Sequence, residues 1–242
     1  MQYKADFFIG IFLAMTFSSL GPVFQYLIFS QTRGYPRWNL PQIILFQGVM
    51  LVWLGLKDLL FGDIRLTVEA MVKGGNFDRL LLKPYSAIGV ILAGGFYFQG
   101  AGTIIAGGTI VVVAALRLGL TLSWWQPLAL AAFLAAGLLL HMAITVLYCI
   151  TVIMITHMGR LGEILDKLLA FSQFPIDILN PVFRMIITVG IPIAVWIYFP
   201  TETLLNRVEP IAMVSVASAG ILLWASLLLW KVALKKYTSA GG

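Results

Sequence analysis

Few residues of this 242-residue chain belong to the types that carry out chemistry. Its two histidines, His141 and His157, and its single cysteine, Cys149, lie in or beside apolar stretches, without the spacing of a metal site or a catalytic pair. No lysine follows a glycine, so the phosphate loop that binds ATP is absent. We therefore predict no catalytic residue, no metal site and no cofactor in this chain, and we expect His141 to pack between helices.

The ten acidic residues avoid the centres of the apolar stretches. A charged side chain at the centre of a bilayer costs roughly 3 kcal/mol or more, and such charges usually mark ion-coupled carriers. The pattern argues against proton- or sodium-driven transport. Any energy that the protein uses would then come from a partner.

The composition is that of a membrane protein. Apolar residues make up 60% of the chain and charged residues 11%, against roughly 45–50% and 25% in soluble domains. A surface that faces lipid accommodates this excess. The net charge of +6 comes from basic residues that flank the apolar stretches, which is typical of topology signals and of contact with anionic membrane lipids, so no nucleic-acid partner is predicted.

Six stretches with little charge come near the roughly 20 residues that a helix needs to cross a bilayer. They predict an all-α membrane protein with one transmembrane domain over residues 1–242. The spans are expected at residues 7–30, 39–60, 85–115, 127–156, 178–199 and 210–231. Glycines such as Gly100, Gly107 and Gly108 cluster in the third span, which indicates either close helix packing or a flexible helix that lines a pathway.

Basic residues divide unevenly between the two sides of these spans. Twelve of the sixteen lie at the termini or in the connections after the second and fourth spans. The four on the other side are Arg33, Arg37, Arg117 and Arg207. Because positively charged connections stay in the cytoplasm, both termini are predicted to be cytoplasmic.

The connection after the second span contains an amphipathic segment, Asp63–Lys73. Its apolar stripe consists of Ile64, Val68 and Val72, and its charged stripe of Arg65, Glu69 and Lys73. Residues four apart on a helix can pair, so the spacing predicts the ion pairs Arg65–Glu69 and Glu69–Lys73. The segment is either a solvated helix at the membrane surface or a docking element for a cytoplasmic protein.

The residues that follow, Gly75–Pro84, resemble a Gly-x-x-Asp-x-x-Leu-Leu-x-Pro segment found in permeases of the type-two ABC exporters, in a bacterial six-span subfamily. The matching residues are Gly75, Asp78, Leu81, Leu82 and Pro84. The stretches Phe174–Asp177, Ile191–Pro200 and Leu204–Leu205 are similar to the fifth-span pattern of that subfamily. The subfamily usually has Pro-Ala where this chain has Pro200-Thr201.

The resemblance implies ATP-driven export across a bacterial inner membrane. It implies two permeases, often different chains, and two cytoplasmic ATPase subunits that bind the ATP and Mg²⁺. It also implies a coupling helix after the second span. The residues expected to couple to the ATPase are Asp63, Arg65, Glu69, Lys73, Asp78, Arg79, Glu163 and Lys167. The alternatives are a membrane scaffold or assembly protein, and a secondary carrier.

The connection after the fourth span repeats the amphipathic pattern over Gly159–Leu169. Glu163 and Lys167 stand four residues apart, in the favourable orientation for an ion pair. This segment is predicted to be a surface helix that joins two spans, or a second contact with the ATPase.

The segment before the last span is predicted to form a re-entrant hairpin at the outer side. Pro192 interrupts the apolar stretch, because proline lacks the backbone donor that a helix requires. Residues 200–208 are then expected to dip back and close the exit, with Thr201 capping a short helix. The outer-gate residues are Pro192, Pro200, Thr203, Leu204 and Leu205. The alternative is an ordinary surface loop.

Overall fold

A computed structural model describes residues 9–10, 13, 16–17, 20–62, 64–155 and 161–237. Within these ranges the chain is helical and contains no strand, which confirms the all-α class. The helices are α1 (Leu20–Gln31), α2 (Leu40–Phe61), α3 (Ile64–Lys73), α4 (Asn76–Leu81), α5 (Ala87–Ala93), α6 (Gly100–Arg117), α7 (Trp125–Met154), α8 (Leu161–Phe171), α9 (Pro181–Met185), α10 (Tyr198–Leu204) and α11 (Ile211–Lys236). Single 3₁₀ or π turns cover Ile176–Ile178, Ile186–Gly190 and Ile193–Val195. Asp63 and His157 lie outside the described residues.

Four helical stretches are long and apolar enough to cross a membrane. They are Leu40–Lys73, Gly100–Arg117, Trp125–Met154 and Ile211–Lys236. In the first stretch α2 supplies the apolar part, and α3 continues it with charged residues. The predicted spans 39–60, 127–156 and 210–231 correspond to α2, α7 and α11, whereas the predicted span 7–30 is only partly described.

The central helix α2 begins where its sequence provides a cap. The Asn39 side chain accepts a hydrogen bond from the Gln42 backbone N–H (3.0 Å), and the Gln42 side chain accepts one from the Asn39 N–H (3.1 Å). This reciprocal arrangement satisfies two donors at the helix N-terminus. Trp38 precedes α2 and Glu69 lies beyond it, so we call the two ends of the bundle the Trp38 end and the Glu69 end.

Glycines bring α2 and α6 into backbone contact. A Cβ atom on Gly100 would lie 2.5 Å from the Gly55 carbonyl oxygen, and one on Gly107 would lie 2.6 Å from the Val52 backbone nitrogen. Gly108 differs, because a Cβ there would meet nothing within 4 Å. Gly100 and Gly107 therefore serve close helix packing, one of the two interpretations of the glycine cluster.

The third predicted span, residues 85–115, is two helices rather than one. Between α5 and α6 the Tyr97 backbone N–H donates to the Leu59 carbonyl oxygen of α2 (3.1 Å). A Cβ on Gly95 would lie 2.4 Å from Cγ1 of Ile64. The chain breaks at this point because the glycines allow its backbone to lie directly against α2 and α3, and α6 alone is long enough to cross.

Residues 178–199, predicted as a span that Pro192 interrupts, do not form one continuous helix. The helical turns stop at Gly190, Ile191 is extended (φ −120°, ψ 90°), and Pro192 is non-helical (φ −73°, ψ 58°). Proline has no N–H and its ring clashes with the preceding turn, so the helix cannot continue. The remaining apolar helical piece, Pro181–Gly190, is far shorter than a bilayer crossing requires.

The passage from the Glu69 end to the Trp38 end is made by residues 161–177 instead. At its start the Gly162 carbonyl oxygen accepts a hydrogen bond from Arg65 (3.2 Å). At its finish Asp177 accepts one from the Trp38 indole N–H (2.8 Å). The predicted surface helix around Glu163 and Lys167 is thus the first part of this passage.

Candidate functional site

Helix α3 is fastened to the Glu69 end of the bundle by its apolar stripe. Ile64, Val68 and Val72 are buried, as the spacing predicted. They belong to a core cluster with residues of α4, α5, α7 and α11, among them Phe77, Ile91, Val146, Cys149 and Trp230. This packing leaves the opposite face of α3 outside the core.

Glu69 fixes α3 to α7. Its carboxylate accepts a hydrogen bond from the Tyr148 hydroxyl and one from the Lys73 ammonium (3.1 Å). These two donors, Tyr148 first, lower the pKa of Glu69 below its ordinary value. The predicted Glu69–Lys73 pair is therefore present, and Glu69 also connects α3 to a spanning helix.

Arg65 fixes α3 to α8. Its guanidinium forms an ion pair with Asp166 (2.9 Å) and donates to the Gly162 carbonyl oxygen (3.2 Å). The sequence predicted Glu69 as its partner, but Glu69 is engaged by Tyr148 and Lys73. Helix α3 is therefore held between two different helices at the Glu69 end.

The other predicted coupling residues differ in their surroundings. Asp78 accepts a hydrogen bond from the Tyr237 hydroxyl (2.9 Å), which connects α4 to the end of α11. Arg79, Glu163 and Lys167 are exposed. Two leucines of this region are also exposed, Leu66 (71%) and Leu82 (88%); sequence reasoning used Leu82 only as part of the family motif and gave Leu66 no role. The sequence did contain a signal at Leu66, because this apolar residue lies outside the apolar stripe of α3.

At the Trp38 end, ionised side chains form what we call the Asp177 cluster. It consists of Arg37, Asp177, Arg184 and Glu209, from four separate segments. Asp177 lies 3.3 Å from Arg37 and 3.7 Å from Arg184, and Glu209 lies 3.7 Å and 3.6 Å from the same two arginines. Arg184, which the predicted topology placed in the cytoplasm, thus lies at the same end as Arg37.

Asp177 is the buried centre of this cluster. Its side chain is 3% exposed and accepts hydrogen bonds from the Trp38 indole (2.8 Å) and the Tyr198 hydroxyl (3.3 Å). The carboxylate of Asp177 raises the pKa of Arg37 above its ordinary value. Arg37 adopts a left-handed backbone (φ 66°), which is uncommon for a non-glycine residue. Sequence reasoning noted Asp177 only as part of the family pattern.

Residues 185–208 form a hairpin that leaves the Asp177 cluster and returns to it. Arg184 stands at its beginning and Glu209 at its end, and the two form an ion pair. The tip is Trp196, whose indole N–H donates to the Gly137 carbonyl oxygen (3.1 Å) and whose ring stacks on Trp53 at 4.7 Å. Gly137 follows the start of α7 by 12 residues, which is about 18 Å at 1.5 Å per residue. The tip therefore reaches far into the bundle.

The central part of the hairpin is buried. Residues 192–204 are all buried, including Pro192, Pro200, Thr203 and Leu204, whereas Leu205 is half-buried. Thr201 lies inside α10, where its hydroxyl donates to the Ile197 carbonyl oxygen (2.8 Å), so it does not cap the helix as expected. An exposed surface loop is not what the chain forms here.

Two side chains that sequence reasoning missed hold the returning half of the hairpin. Gln126 of α7 donates to the carbonyl oxygens of Thr203 (2.9 Å) and Leu204 (3.4 Å). Arg207 pairs with Glu202 (2.7 Å) and lies over the Trp38 ring at 4.9 Å. Below them, His141 packs among the rings of Trp53, Phe61 and Trp196.

The described residues include no group of three or more potential metal ligands. The site thus has two parts. Helix α3 is fixed to α7 and α8 at the Glu69 end, and the buried hairpin is held by ion pairs at the Trp38 end.

A search of curated proteins and a search of solved structures found no match. The family model of the ABC-2 family transporter proteins matches residues 13–241, nearly the whole chain. The chain therefore belongs to the ABC-2 family of membrane transporter proteins.

Proposed function

We propose that this chain is the permease subunit of an ATP-driven exporter in the inner membrane of a bacterium. Partner ATPase subunits would bind ATP and Mg²⁺, and this chain would alternate between two packings that open to opposite sides. Membership of the transporter family supports the permease role, and the sequence itself has no phosphate loop. The positive-inside pattern supports cytoplasmic termini, with the Glu69 end in the cytoplasm.

The observation that carries this proposal is the way α3 is held. A displacement of α3 would be transmitted to α7 through the Glu69–Tyr148 hydrogen bond and to α8 through the Arg65–Asp166 ion pair. Such a helix transmits force better than a free surface helix does, because its polar contacts and its buried stripe fix it to two helices. We propose that the partner ATPase contacts the remaining exposed side, near Leu66 and Leu82.

Changing Leu66 to glutamate is expected to reduce co-purification of the ATPase with the tagged chain at least about tenfold. An exposed leucine at the centre of an interface contributes on the order of 1–2 kcal/mol, and a buried carboxylate without a partner would add a penalty. The measurement is the ATPase-to-permease ratio after affinity purification in mild detergent. Leu122→Glu, an exposed leucine in the connection before α7, is the control and should leave the ratio unchanged. An equal ratio in both variants would remove α3 as the docking site.

We further propose that a second permease, a non-identical chain, completes the complex. A single bundle of this size leaves little room for a cargo pathway, so a pathway between two bundles suits the function better. The non-identical partner rests on the resemblance to the bacterial subfamily alone. Membrane lipids surround both chains.

The hairpin of residues 185–208 is proposed to be the outer gate, re-entering the membrane from the outside. Support comes from its buried tip at Trp196, its shared start and finish at the Asp177 cluster, and the short apolar helix Pro181–Gly190. Non-helical backbone at membrane depth is tolerated where protein encloses it, and this backbone is enclosed. Together with the span predicted from the sequence at residues 7–30, the six crossings would then include α2, α6, α7, residues 161–177 and α11.

A cysteine at Thr203, in a Cys149→Ser background, is expected to react with a membrane-impermeant thiol reagent several-fold faster in one state of the ATP cycle than in the other. Thr203 is fully buried in this packing, so the reagent reaches it only when the hairpin moves. Labelling rates from the outside would be compared between ATP-free and ATP-trapped complexes. Leu122→Cys, half exposed, should react quickly in both states. Equal slow labelling of Thr203→Cys in both states would contradict the gate.

A further inference from the structure

We infer that a groove at the Trp38 end binds an anionic phospholipid, with its phosphate on Arg117 and the upper part of an acyl chain below. The groove lies between α1, α2 and α6 and has a volume of about 290 Å³. That volume suits a segment of a chain, because whole small-molecule pockets measure roughly 300–1,000 Å³. Its walls are formed mainly by Tyr26, Leu40, Ile44, Val113, Ala114 and Arg117.

The lower part of the groove suits only an apolar occupant. Ala114 is 1% exposed and forms the floor, where its small side chain leaves space beside Ile44. A water molecule needs two to four polar partners, and these aliphatic walls offer none. An acyl chain fills such a space without losing hydrogen bonds.

The rim of the groove suits an anion. Arg117 is the last residue of α6, its side chain is exposed, and within the described part of the chain it makes no hydrogen bond or ion pair. A guanidinium presents its donors in a planar fork that matches a phosphate. Charge therefore favours a lipid phosphate at this position.

The rim at Arg117 and the apolar lower part of the groove lie at the depths where a lipid places its phosphate and its acyl chain. Leu40 begins α2 and Arg117 ends α6, so both mark the Trp38 end of the bundle, while Ile44 lies one helical turn deeper. The exposed aromatics Tyr26 and Trp124 occur at the same end, as in the belts at membrane interfaces. A helix of a partner permease suits the groove less well, because an apolar helix would leave the Arg117 guanidinium without an anion.

The test uses the complete complex in phosphatidylcholine vesicles that contain a trace of photoactivatable phosphatidylglycerol or of photoactivatable phosphatidylcholine. Labelled peptides are mapped by mass spectrometry. We expect labelling by phosphatidylglycerol around residues 26–44 and 113–117, and Arg117→Gln should reduce it about fivefold while labelling by phosphatidylcholine stays unchanged.

A second pair of variants tests the apolar part without altering charge. Val113→Trp places a large ring at the edge of the groove and should reduce labelling by both lipids. Val112→Trp is the matched control, since Val112 is similarly exposed (58% against 46% for Val113) and does not line the groove. Equal labelling of these two variants, or an equal effect of Arg117→Gln on both lipids, would overturn the lipid site. A crosslink from Val113→Cys to another protein chain would assign the groove to that chain and also overturn it.

Discussion

Replacing Asp177 by asparagine is expected to lower the apparent melting temperature of the purified protein by about 5–10 °C and, in the hairpin's proposed role as outer gate, to reduce ATP-dependent changes in hairpin accessibility. The carboxylate is buried and faces Arg37 and Arg184, and it accepts hydrogen bonds from Trp38 and Tyr198. Asparagine keeps an acceptor but loses the charge between two guanidiniums. The two arginines are partly exposed, which reduces the loss to about 2–3 kcal/mol, and each kcal/mol corresponds to roughly 2–4 °C.

The effect on function follows from the position of Asp177. Asp177 ends the passage of residues 161–177 and contacts both Trp38, just before α2, and Arg184, just before the hairpin. Without its charge, the ion pairs of Asp177 with Arg37 and Arg184 are lost, and the hairpin is held less firmly to the passage that begins beside Arg65 and α3. In the proposed transport cycle, motion at the Glu69 end would then be transmitted less well to the hairpin.

Glu209→Gln is the control for this prediction. Glu209 contacts the same two arginines, but it is nearly half exposed, and its pairs are longer than 3.5 Å. Exposed ion pairs contribute about 0–1 kcal/mol, so this variant should melt within about 3 °C of the unchanged protein. If Asp177→Asn and Glu209→Gln behave alike, the burial of Asp177 is not what holds the cluster together.

Changing Gly107 to alanine is expected to destabilise the protein by about 2–3 kcal/mol, whereas the same change at Gly108 is expected to be nearly neutral. The new Cβ on Gly107 would lie 2.6–2.8 Å from atoms of Val52, Gly48 and Leu51, two of them in the α2 backbone. Backbone cannot rotate away as a side chain can, so α2 and α6 would have to separate. Thermal unfolding in detergent should show a loss of about 5–10 °C for Gly107→Ala alone.

Valine extends the comparison between these neighbouring glycines. Gly107→Val should melt lower still, because two further methyl groups enter the contact between the helices. Gly108→Val should remain close to the unchanged protein, since Gly108 faces open space. A melting temperature for Gly107→Ala equal to that of Gly108→Ala would mean that α2 and α6 do not meet through Gly107.

Local patterns in the sequence were sufficient for several features. The apolar composition indicated an all-helical membrane protein, because an unpaired backbone polar group in lipid is too costly. The four-residue spacing of Ile64, Val68 and Val72 indicated the buried stripe of α3, and all three are buried. The short motif of Gly75–Pro84 indicated the transporter family, which the family model confirms. The stripe and the motif depend on residues that are close together in the chain, and the composition does not depend on which residues are in contact.

Features that join distant residues were decided only by the tertiary structure. The sequence placed the predicted re-entrant segment at residues 200–208, whereas the buried stretch covers residues 192–204 with Trp196 at its tip, because proline stops a helix without setting the direction that follows. The contacts of Asp177 with Trp38 and Arg37 join residues 139 and 140 positions apart, and that of Arg65 with Gly162 joins residues 97 apart. The break within residues 85–115 depends on the α2 backbone at Leu59, which binds Tyr97. A periodic pattern in the sequence does not predict such contacts. The pairing of charged side chains depends on how the helices pack and not on their spacing along the chain.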